Sequence, residues 1–107
     1  MSTTSNVPVT VTPEASAHVA ELGLQKEFEQ VLEHALQTIP GLRAVRADYE
    51  SGYGVDIPCI LIEATVSDYE AASSARDAWG VWRLTAIPPQ AGQNFVLFLQ
   101  EEQQNAG

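Results

Sequence analysis

The run Val55-Asp56-Ile57-Pro58-Cys59-Ile60-Leu61-Ile62-Glu63-Ala64-Thr65-Val66 is the most apolar in the chain and is dense in β-branched residues. It is too short to span a bilayer. Turn residues precede it and a helix-start signal follows it, so it predicts the central strand of a sheet, buried on both faces or nearly so. Pro58 is a difficulty for that strand. It has no N–H to give to a ladder, so the strand needs a bulge or an unpaired side near its start.

The segments on either side fit around this strand. Leu42 to Glu50 reads as a strand with Val45, Ala47 and Tyr49 on one side and Arg43 at its end. Ser51-Gly52-Tyr53-Gly54 is a turn longer than the tightest hairpin loop, so the two strands are expected to pair antiparallel. Downstream, Ser67-Asp68-Tyr69-Glu70 has the form of a capping box, with the Ser67 hydroxyl at the cap and a carboxylate three residues on. A helix follows through about Trp79. Its alanines (Ala71, Ala72, Ala75, Ala78) let it lie close on a sheet, and Gly80 is its expected cap. Val81 to Ile87 then alternates, with Trp82, Leu84 and Ala86 on one side, which predicts another strand. The Trp79–Trp82 spacing of three also suits a helix continued to Trp82. Residues 88–94 read as a loop and Phe95–Leu99 as a last buried strand.

Residues 1–6 are polar and expected to be frayed. Val7, Val9 and Val11 alternate, which predicts a strand or an ordered arm, and Pro8 restricts a strand to an edge. Thr12-Pro13-Glu14 is a helix start: a capping hydroxyl, a proline at the first helical position and an acid near the positive end of the dipole. Leu24, Phe28, Val31, Leu32, Ala35 and Ile39 recur at helical spacing, opposite Lys26, Glu29, Gln30, Glu33 and Gln37. Gly23 divides the helix into Glu14–Leu22 and Leu24–Thr38, and Pro40-Gly41 ends it. Glu101–Gly107 is a polar tail.

The expected architecture is a single α+β domain over residues 7–100. It is a two-layer sandwich, with two helices on one face of a mostly antiparallel sheet of four or five strands, in the order (β)αββαββ. Its first six elements follow the βαββαβ order of a ferredoxin-like sandwich.

The chain has 107 residues, with 5 basic and 14 acidic side chains and a formal net charge of -9. That field opposes binding to nucleic acid or to an anionic membrane surface. The single cysteine, Cys59, cannot form an intramolecular disulfide and reads as a small buried hydrophobe. No basic-then-apolar start resembles a signal peptide, and no run approaches the length of a membrane span. A cytoplasmic location is the default expectation.

Two stretches resemble known families. Val9-Thr10-Val11-Thr12-Pro13-Glu14-Ala15-Ser16-Ala17-His18-Val19, about a tenth of the chain, resembles the opening of the A-type iron–sulfur carrier proteins. Those carriers hold clusters with several cysteines, including a Cys-Gly-Cys. One cysteine cannot supply such a set, so the stretch reads as an ordinary strand-to-helix transition. Asp56 with Glu63-Ala64-Thr65, after a helix carrying Glu33, is similar in layout to metal-dependent nucleases of the restriction-endonuclease type. Thr65 stands where their pattern has lysine, and Lys26 is the only lysine in the chain, so no nuclease is expected.

No nucleophile elbow, phosphate-binding glycine loop or paired-cysteine motif is present, and no metal or cofactor is expected. The residues that stand out are Tyr69, Trp79, Trp82 and Arg83 around the second helix, with Phe95 on the last strand. Tyr, Trp and Arg are the residue types enriched at binding hot spots. The leading expectation is a non-catalytic interaction module that binds a protein partner or forms a homodimer. The alternative is a small-molecule-binding protein or small enzyme, with a pocket between sheet and helices drawn from His34, Tyr49, Tyr53 and Asp56. That reading requires His34 and Asp56 to converge on one cavity.

Overall fold

The computed structural model describes residues 7–52, 55–92 and 94–102, and the side chains of 51–58 lie outside that description. The elements are β1 (Val9–Val11), α1 (Pro13–Leu22), α2 (Gln25–Thr38), β2 (Leu42–Gly52), β3 (Val55–Val66), α3 (Tyr69–Ala86), α4 (Pro89–Gly92) and β4 (Phe95–Glu101). The four strands form one sheet in the order β1-β2-β3-β4.

β2 and β3 pair antiparallel, with Val45 opposite Ala64 and Ala47 opposite Ile62. Their register breaks between the Glu50–Cys59 and Gly52–Val55 pairs, across the segment that holds Pro58. This is the irregularity that a proline without a donor demands. The outer pairs are both parallel: Val9–Val11 runs alongside Val45–Ala47, and Phe95 to Glu101 alongside Ile60 to Val66. A parallel pair needs a crossover, and here the helices supply it. The sheet is therefore mixed and built from two βαβ arms that share a central hairpin. That overturns the ferredoxin-like, mostly antiparallel expectation.

The strands have one covered face. Val45, Ala47, Ile60, Ile62, Ala64, Val66, Phe95, Leu97 and Leu99 are buried against Ala15 and Val19 of α1, Phe28, Val31 and Ala35 of α2, and Ala72 and Trp79 of α3. On the other face Leu61, Glu63 and Thr65 are only half-buried, and Val96 and Phe98 are exposed. β3 is thus buried on one face, not two, and β4 is not a buried strand throughout.

The first helix begins as the sequence indicates. Thr12 Oγ1 accepts from the Ala15 N–H at 3.2 Å, and Pro13 is the first helical residue. Gly23 then adopts φ +70°, and its N–H and that of Leu24 close back onto the carbonyls of Ala20 and Val19. This left-handed cap separates α1 from α2.

The third helix departs from expectation at both ends. Its cap is Asp68, whose Oδ1 accepts from the Ala71 N–H at 3.3 Å, and not Ser67. Ser67 instead donates its N–H to the Gly41 carbonyl. At the other end the helix runs through Gly80 to Ala86, so Val81–Ile87 is not a strand, and among the described residues the sheet has four strands. Trp79 and Trp82 hold this segment helical by facing α2: the Trp79 indole N–H donates to the Val31 carbonyl at 3.1 Å. Residues 88–94 are not simply a loop, since Pro89–Gly92 forms the short α4.

Candidate functional site

Two sequence-predicted groups of residues can be placed. Of the pocket group, His34 lies face to face with Trp82, with ring centroids 3.9 Å apart and planes 6° apart. Tyr49 lies against His18 instead, at 4.6 Å between centroids. The two take different partners on different helices. Tyr53 lies outside the described residues. Asp56 is on β3, and its side chain lies outside the description. Among the described residues no group of three or more His, Cys, Asp or Glu side chains could hold a metal ion.

Of the interaction group, Trp79 and Phe95 are core residues. Trp79 bonds α2, and the Phe95 ring stacks on Phe28 at 5.9 Å. Trp82 is half-buried between His34 and Trp79. Tyr69 is exposed at the start of α3, and its N–H reaches the Glu101 carboxylate at 3.4 Å.

Arg83 has a structural task of its own. Its Nη1 donates to the carbonyls of Gly92 at 2.8 Å and Phe95 at 2.6 Å, and its guanidinium lies 5.9 Å from the centre of the Trp79 ring. Among the described residues it has no carboxylate partner, whereas Arg43, Arg46 and Arg76 pair with Glu102, Asp48 and Asp77. The cation satisfies the carbonyls where α4 turns into β4, and so fixes the start of that strand against α3.

Beside Arg83, α3 and β4 flank an open groove of about 440 Å³, whose lining includes Arg76, Gly80, Val81, Leu84, Val96 and Leu97. Val81 is 64% exposed and Leu84 67%, and on β4 Val96 is 41% and Phe98 49% exposed. Val96 and Phe98 alternate onto the open face of the sheet, so apolar surface continues from the groove round the strand. Among the described residues the other exposed large apolar side chains are Val9 and Val11 on β1, Leu22 and Tyr69. A second groove of about 430 Å³ runs between α1 and α2, with the buried Val19 and Phe28 in its walls and the exposed Val11 at its edge.

The sequence drew attention to Tyr69, Trp79, Trp82, Arg83 and Phe95 and did not single out Val81, Leu84, Val96 or Phe98. Apolar side chains in an apolar run give no signal of exposure. The position of β4 at the end of the sheet reveals it for Val96 and Phe98, and the continuation of α3 past Gly80 reveals it for Val81 and Leu84.

No protein-family description matches the chain, and neither do the curated proteins or the solved structures. Among the described residues no helix is long and apolar enough to cross a membrane.

Proposed function

We propose that this protein is a non-catalytic interaction module whose contact surface is the corner formed by α3 and β4. The observation that carries this reading is the gathering of the exposed Val81, Leu84 and Val96 in the lining of one groove, with Phe98 exposed two residues further along β4. Contiguous exposed apolar surface on a water-soluble fold marks a contact site, whereas single exposed apolar residues need no explanation. The polar surroundings support it. Arg76 and Asp77 rim the groove, giving the polar border and apolar centre of a protein–protein contact.

A photo-crosslinking amino acid placed at Leu84 tests this, with the same probe at the exposed Glu33 as control. Polypeptide adducts formed from position 84 and not from position 33 support the reading. Equal labelling at both positions, or none at either, overturns it.

A further inference from the structure

We draw no further inference here: the strongest candidate, the apolar groove that Val81 and Leu84 of α3 form with Val96 of β4, carries nothing beyond the contact surface already proposed, because nothing in the structure shows what covers it.

Discussion

The indole of Trp82 lies parallel to the imidazole of His34, 3.9 Å away, and joins the outer turns of α2 and α3. Trp79, one turn earlier, joins the same helices from inside the core by its bond to the Val31 carbonyl. The half-buried stack adds aromatic contact to apolar burial. Trp82→Ala should therefore destabilise the fold by about 2–3 kcal/mol, less than a fully buried tryptophan would. A double-mutant cycle with His34→Ala should isolate a coupling of about 0.5–1.5 kcal/mol. Denaturant midpoints measure both, and additive single variants would show that the rings merely touch.

Asp48 ties β2 to the start of α1. Its carboxylate accepts from the Tyr49 N–H at 2.8 Å and from the Thr12 hydroxyl at 3.0 Å, and Arg46 lies at 3.2 Å. These donors, the Tyr49 N–H first, hold its pKa below the ordinary 3.8. The folded value lies below the unfolded one, so the charged form contributes stability above the unfolded value. That contribution disappears as pH falls through the folded value. Asp48→Asn keeps one acceptor oxygen for the Tyr49 and Thr12 donors and removes the charge and the oxygen that faces Arg46. The stability gap between parent and variant should therefore narrow as pH falls from about 6 to about 3. Urea midpoints across that range decide it, and a gap that widens toward acid contradicts the assignment.

Cys59 faces the open side of the sheet yet is buried. Burial pushes its thiol above the ordinary value of 9.0, and the nearby Glu50 charge adds to this. Less thiolate and less access both slow attack on an electrophile. At neutral pH a thiol reagent should label the folded chain ~10-fold or more slowly than the urea-unfolded chain. Equal rates would mean that this strand end opens freely.

Gly23 and Gly41 both have positive φ, +70° and +66°, but their surroundings differ. A Cβ on Gly23 meets nothing, whereas one on Gly41 lies 2.6 Å from the Ser67 hydroxyl oxygen. Alanine at either should cost about 1–2 kcal/mol for the left-handed backbone, and more at Gly41. Adding Ser67→Ala should return the excess at Gly41. If it does not, the strain lies in the backbone alone.

Much of the chain's local structure is legible in its sequence, because caps and periodicity act locally. Thr12-Pro13 starts α1, Gly23 ends it, and the alternation of β2 sets Val45 and Ala47 inward. Around Gly80 the reading fails for an identifiable reason. In seven residues, Trp82, Leu84 and Ala86 satisfy a period of two. The longer spacing Ala72, Ala75, Trp79, Trp82 and Ala86 follows the helix, and tertiary contact with α2 selects it. The pairing directions of β1 and β4 are not legible at all, because both depend on how a crossover lies across the sheet. The candidate site was reached only in part. Arg83 stood out by residue type, but its carbonyl partners are fixed by α4, which looks like a loop in sequence.

The central hairpin has a consequence for how the chain folds. Ala47 and Ile62 are partners fifteen residues apart, while Val9 and Val45, and likewise Ile62 and Leu97, meet only after about thirty-five. Closing the longer loops costs about 0.8 kcal/mol more entropy, before any crossover helix must dock. The middle of the chain can therefore organise before either end, and each arm then closes onto a template already in register. Ile62→Val should slow refolding, whereas Leu99→Ala should leave refolding nearly unchanged and hasten unfolding, as chevron kinetics would reveal. The two termini, which carry the outermost strands, are the last parts to be captured and the first to be released.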